Sequence, residues 1–176
     1  MGTNGSTMLE PLRQGLPPID PTAVSSATSC ALSARYEAVG EARRFTRRTL
    51  TEWCADERFD DVCLVVSELV TNAMRHALPQ DVHPGEVLPV RLHLMRWTQR
   101  LVCAVRDPSD ATPVPGYSGL LGAAGPGDAD QPARPEEFAA ESGRGLFLVD
   151  SFSDSWGWHP LTSAPGGKVV WALFRL

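Results

Sequence analysis

The chain has 176 residues, 43% of them hydrophobic and 21% charged, the make-up of one globular domain rather than a disordered or fibrous chain. Sixteen Lys and Arg against twenty-one Asp and Glu leave a net charge of −5, the wrong sign for a general nucleic-acid binder. The longest apolar run, Val169 to Phe174, falls far short of the ~18 residues that cross a bilayer, so neither nucleic acid nor a membrane is an expected partner.

Residues 1–28 are rich in Gly, Pro, Ser and Thr and carry no sustained period; they read as a flexible tail ahead of an ordered domain over 29–176. A short strand is expected around Cys30 to Ala34. A helix follows from about Tyr36 to Cys54, where Val39, Ala42, Phe45, Leu50 and Trp53 fall within one arc at ~100° per residue. Thr46 interrupts that arc, and Arg44, Arg47 and Arg48 lie off it, with Arg43 at its border. This basic face is either solvated or a surface for an acidic partner. A second helix spans about Asp60 to Ala77, with acidic residues at its start and Pro79 closing it. Its core arc is Val62, Val66, Leu69, Val70, Ala73 and Ala77.

Two strands come next, Pro89 to Trp97 and Leu101 to Arg106, with apolar residues on alternate positions. The short Thr98-Gln99-Arg100 connection makes them an antiparallel hairpin. From Pro108 to about Ala140 the chain turns to Gly, Pro, Ala and Asp without period. A loop this long inside a compact domain is usually a lid or disordered, and residues 110–140 are assigned to it. Glu141-Ser142-Gly143-Arg144-Gly145-Leu146 then leads into an apolar helix. A strand near Ser155 to His159, a turn at Pro165-Gly166-Gly167 and a strand from Lys168 to Leu176 complete the chain. Five strands and three helices in this order predict an α+β, two-layer sandwich, its mixed and mostly antiparallel sheet covered by helices on one face. The four cysteines, Cys30, Cys54, Cys63 and Cys103, include no C-x-x-C pair. They read as small core residues in a reducing compartment, and the histidines share no ligand spacing with them.

Three stretches carry possible chemistry. Glu68, Asn72 and His76 are i, i+4 neighbours on one side of the second helix, so they either line a pocket or form a polar edge facing water. Asp107 ends a strand, where it can accept from a ligand amine or cap a turn. Gly143-Arg144-Gly145-Leu146 precedes a helix, where exposed backbone N–H groups and the helix dipole favour an anion; the alternative is a helix start that simply needs glycine dihedrals.

In this order the three stretches resemble the GHKL ATPase superfamily, and within it the small bacterial anti-sigma-factor serine kinases. Glu68-x-x-x-Asn72 is similar to the N box, Asp107 to the acidic residue of the first Gly box, Gly143-Arg144-Gly145-Leu146 to the second, and Gly166-Gly167-Lys168-Val169-Val170-Trp171 to the terminal strand. The resemblance runs from about residue 30 to 176. It implies a cytoplasmic protein that binds ATP and Mg²⁺. Asp107 would accept from the adenine amino group, Asn72 would hold the metal, the backbone around Gly143, Arg144, Gly145 and Leu146 would cradle the phosphates, and Glu68 would be the general base. It further implies a serine/threonine protein kinase and anti-sigma factor, with a sigma factor and an anti-anti-sigma protein of the STAS type as partners, working as a homodimer. Two features depart from the family pattern. Ser109 and Ala111 stand where the first Gly box has glycines, and Val169 is assigned to the position where many relatives carry Thr. A binding module on the same fold with little or no catalysis is the alternative these departures favour.

Overall fold

A computed structural model of the chain describes residues 23–32, 37–76, 90–113, 145–162 and 166–176. Five strands and three helices lie within them: β1 (Ser26–Ala31), α1 (Ala38–Glu52), α2 (Phe59–His76), β2 (Arg91–Trp97), β3 (Arg100–Asp107), α3 (Gly145–Phe152), β4 (Ser155–Pro160) and β5 (Lys168–Arg175). The sheet order is β1-β2-β3-β5-β4, and each of the four ladders is antiparallel. The flexible tail expected over 1–28 overlaps β1, which opens at Ser26 rather than near Cys30. Ser26, Thr28 and Ser29 are polar enough to hide a strand, and it forms because β2 offers Arg96 to Arg91 as partners. Residues 1–22, and most of the lid expected over 110–140, lie outside the described residues.

Alternation along the strands divides their side chains between two faces. Leu92 and Leu94, Leu101, Cys103 and Val105, and Val170, Ala172 and Phe174 face the helices. They pack with Val62, Val66, Leu69, Val70 and Ala73 of α2 and with Leu146 and Val149 of α3 in one core. In α2, Cys63, Val65 and Ser67 are buried as well, because α1 covers a second side of this helix. Ser67 Oγ donates to the Cys63 carbonyl at 2.7 Å and accepts from Arg43 Nε at 2.7 Å, so Arg43 is a tie between helices and not part of a free basic face. In α1 the buried positions are Ala38, Ala42, Thr46, Thr49 and Leu50. Val39, Phe45 and Trp53 stay half-buried at its margin, and Thr46 Oγ1 has no partner among the described residues.

The opposite face of the sheet is apolar too. Met95, Trp97, Val102, Ala104, Val169, Trp171 and Leu173 form a second buried cluster, with Val24 and Leu161 packed against it. His93 shares this face and is buried. Of the cysteines, Cys63 and Cys103 are buried, Cys30 is intermediate, and Cys54 is exposed. Cys54 departs from the expected core role because it follows the end of α1 at φ 50°, in a turn that points it outward.

Arg58 knots the far end of the helix layer. Its Nε lies 2.9 Å from Asp61 Oδ2, one terminal nitrogen lies 3.3 Å from Asp154 Oδ2, and the other donates to the Phe152 carbonyl at 3.0 Å. The guanidinium also stands 5.5 Å from the centre of the Phe174 ring. The start of α2, the end of α3, the approach to β4 and the end of β5 therefore meet on one side chain. Arg58→Ala is expected to lower unfolding stability by about 1–3 kcal/mol, with little recovered by Lys, which lacks the planar fork; urea titration of the three proteins checks this.

Burial pulls the His93 imidazole down to about 4 from 6.5, with the Arg91 and Arg106 charges adding to the effect. Between those values the unfolded chain binds a proton that the folded chain refuses, so stability falls as pH drops from about 6.5 toward 4. The shift sets an upper bound of roughly 3 kcal/mol. Denaturant titrations from pH 7.5 to 4.5 are expected to show this slope in the wild type and a flatter one in His93→Gln.

Candidate functional site

The candidate residues lie on α2, at the start of α3 and at the paired ends of β3 and β5. α2 forms because apolar residues recur at helical spacing, Asp60 and Asp61 meet the positive end of its dipole, and Arg75 and His76 meet the negative end. It begins beside Arg58, over the Phe174 ring, and Phe174 pairs with Leu101 at the start of β3. Eighteen helical residues rise about 27 Å, close to the length of an eight-residue strand. A helix laid along the strands from that end carries Glu68 and Asn72 toward the end where Asp107 sits.

α3 is fixed antiparallel to α2 by two contacts. At its end, the Phe152 carbonyl accepts from Arg58. At its start, a Cβ placed on Gly145 would stand 3.1 Å from Glu68 Oε2. Glu68 and Gly145, 77 positions apart in the sequence, are therefore neighbours, and a side chain at 145 would press on the carboxylate. Glu68 and Asn72 are half-buried, and among the described residues neither side chain makes a hydrogen bond or ion pair. Leu146 is buried in the core and anchors the helix rather than facing a ligand through its side chain. Gly143 and Arg144 lie outside the described residues. Arg75 and His76 are exposed.

Asp107 is buried, and so is the residue that faces it, Lys168. The two are opposite each other in the β3–β5 register, and Lys168 Nζ lies 2.9 Å from Asp107 Oδ1. The same ammonium donates to the Ser109 carbonyl at 3.2 Å, and the Ser109 amide donates to Asp107 Oδ1 at 2.9 Å. Ser109 Oγ in turn accepts from the Ala111 amide at 3.2 Å. The segment that lacks the expected glycines thus folds back as a turn on Asp107. Burial pushes the Asp107 carboxyl up, while the Lys168 ammonium and the Ser109 amide pull it back down.

Alternation corrects one assignment made from the sequence. Val169 packs into the second cluster, on the sheet face away from the helices. Lys168, two positions before the helix-facing Val170, is the residue on the side of α2 and α3. The sequence held a cue: Lys168 is the one lysine in the chain, against fifteen arginines, and it directly follows the glycine pair.

The Asn72 side-chain oxygen suits a hard cation such as Mg²⁺ that keeps water and phosphate among its ligands, and the Glu68 carboxylate stands one turn earlier on the same helix. Among the described residues no three of His, Cys, Asp and Glu cluster.

The two glycines before β5 have separate jobs. Both have positive φ, 83° at Gly166 and 100° at Gly167, where other residues are strained. A Cβ at Gly166 would meet nothing within 4 Å, whereas one at Gly167 would stand 2.2 Å from the Asp107 carbonyl oxygen. Gly166→Ala is expected to cost about 1 kcal/mol from backbone strain alone, and Gly167→Ala about 3 kcal/mol or more through the added clash. Thermal unfolding of the two variants measures the difference.

Among the described residues no helix is long and apolar enough to cross a membrane. No curated protein matches the chain. Residues 32–174 match the family described as the histidine kinase-like ATPase domain, most of the chain's length. The antiparallel sheet with its helix layer is the α+β architecture expected of that superfamily, whose domains bind ATP, typically with Mg²⁺. The chain belongs to the histidine kinase-like ATPase domain family.

Proposed function

We propose that the chain is an anti-sigma factor and serine protein kinase, which holds a sigma factor and phosphorylates an anti-anti-sigma protein of the STAS type. The observation that supports this most is Glu68 Oε2 standing 3.1 Å from the Cβ position of Gly145. A carboxylate then stands beside the helix start that would take the phosphates. In this reading Asn72 holds Mg²⁺ through its side-chain oxygen, Asp107 faces the base, and the backbone at the start of α3 faces the phosphates. Mg²⁺, when bound, supplies charge neutralisation between the phosphate oxygens. Glu68 takes the proton of the incoming serine hydroxyl as its oxygen bonds to the γ-phosphorus and the bond to the ADP oxygen breaks.

The partners in this reading are proteins, because an attacking serine has to be brought to the site by the chain that carries it. A homodimer holding one sigma factor is part of the proposal. Arg43 is bonded to Ser67 and Arg47 to Cys63. Arg48 lies 3.9 Å from Glu52 in an exposed pair that a partner could displace. Arg44 and Arg48 are therefore the α1 residues best placed to meet an acidic partner. The Asp107–Lys168 pair favours a second reading, a binding module with little or no phosphoryl transfer, because the carboxylate meant for the base already has a cationic partner.

Calorimetry with millimolar ATP, with and without Mg²⁺, tests the nucleotide half; heat that depends on Mg²⁺ is expected, and no heat removes it. Glu68→Gln is expected to keep ATP affinity and to lose transfer to the STAS-type partner by ~10²–10⁴. Equal rates in both proteins would remove the assigned role, and no transfer in the wild type would leave the binding module.

A further inference from the structure

The base end of the site is filled by the chain itself. Resting on the nucleotide reading above, we propose that Lys168 is its specificity-determining residue: the ammonium occupies the Asp107 carboxylate that a base would use, and a nucleotide has to displace it.

Four observations lead there. Both side chains are buried, at 7% and 2% exposure, and lie 2.9 Å apart, so the pair is shielded from the screening that weakens surface ion pairs. Lys168 and Asp107 both lie on the helix side of the sheet, since Val170 and Val105, two positions along their strands, do. The ammonium has a second acceptor in the Ser109 carbonyl at 3.2 Å, so it is held at two points. Finally, Gly167 lies so close to the Asp107 carbonyl that no Cβ fits between them, which fixes the backbone of β5 against β3. The displacement is therefore assigned to the lysine side chain rather than to the strand backbone.

An exocyclic amine on a base is a neutral donor, and an ammonium is a charged one. Both bonds have an ionised acceptor, but only the ammonium adds a full opposite charge, whose Coulomb attraction to the carboxylate is strong in a buried, weakly screened site. Exchanging Lys168 for a base amine on Asp107 therefore runs uphill, and the base adds little to affinity. Phosphate and metal contacts dominate, and in the wild type ATP binds little better than a triphosphate whose base lacks the amine. Removing the ammonium returns the carboxylate to the base.

The test compares wild type with Lys168→Met, using ATP and purine riboside triphosphate, whose base lacks the amine, each with Mg²⁺. The variant is expected to bind ATP about tenfold more tightly or better while affinity for purine riboside triphosphate changes little. Unchanged or weaker ATP binding in a folded Lys168→Met protein overturns the proposal. Asn72→Ala separates this from failure of the nucleotide reading: if it abolishes ATP binding, that reading stands and Lys168 is no obstacle. No binding in any of these proteins overturns both.

The wild type answers the same question without a substitution. Lys168 is the chain's one lysine, so ¹⁵N-lysine labelling gives a single side-chain ammonium signal. Saturating Mg-ATP is expected to move it, and Mg-tripolyphosphate, which has no base, is expected to leave it in place. A signal unmoved by saturating ATP means the ammonium never leaves Asp107, and the proposal fails.

Discussion

The pairing of β3 with β5 is the constraint on which the rest of the molecule depends. Its register runs from Arg100 opposite Arg175 to Asp107 opposite Lys168. At one end Phe174 receives Arg58 and with it the starts and ends of three elements. At the other, Gly167 lies against the Asp107 carbonyl and admits no side chain. A slip by one residue would turn every side chain of β5 to the other face. It would carry Lys168 off Asp107 and put Val169 in its place on the helix side. The core and the site are thus set by one ladder.

Much of this was legible from residue pattern, and the parts that were not have physical causes. α1 and α2 are long enough for a 3.6-residue period to stand out, and their bounds fall within two residues of those expected. The hairpin of β2 and β3 followed from its short turn. β1 was displaced because Ser26-Ala27-Thr28-Ser29 carries no apolar alternation; its order comes from β2 and not from its own sequence. Glu68, Asn72 and Asp107 were found as types at spacings. The nearness of Glu68 to Gly145 joins residues 77 positions apart, which no local pattern encodes. Lys168 opens the expected strand, but whether it or Val169 faces the helices is set by the register with β3, which the apolar run does not encode.

The second sheet face shows the same limit. Alternation in β3 and β5 is masked because both faces are apolar, and a strand buried on both sides reads as a continuous hydrophobic run. Val169 to Phe174 is such a run. Counting only Leu101, Cys103 and Val105 suggested a sheet with one covered face, whereas Val102, Ala104 and Trp171 are buried on the other. Gly157 belongs to this face's packing: a Cβ there would stand 2.7 Å from the Trp171 indole, so the missing side chain in β4 makes room for the largest one in β5.

The carboxylate of Glu68 beside Gly145 has an electrostatic consequence of its own. The first turn of a helix draws anions, and here it is already neighboured by a fixed negative charge from α2. A polyanion approaching the same spot meets attraction from the backbone and repulsion from Glu68 together. Two like charges about 4 Å apart repel by roughly 4 kcal/mol at the effective dielectric of a protein surface, enough to cancel what one helix end offers. On the proposed nucleotide reading, a divalent cation bound to the phosphate chain would offset this repulsion, and the site would favour the metal-bound chain over the bare one.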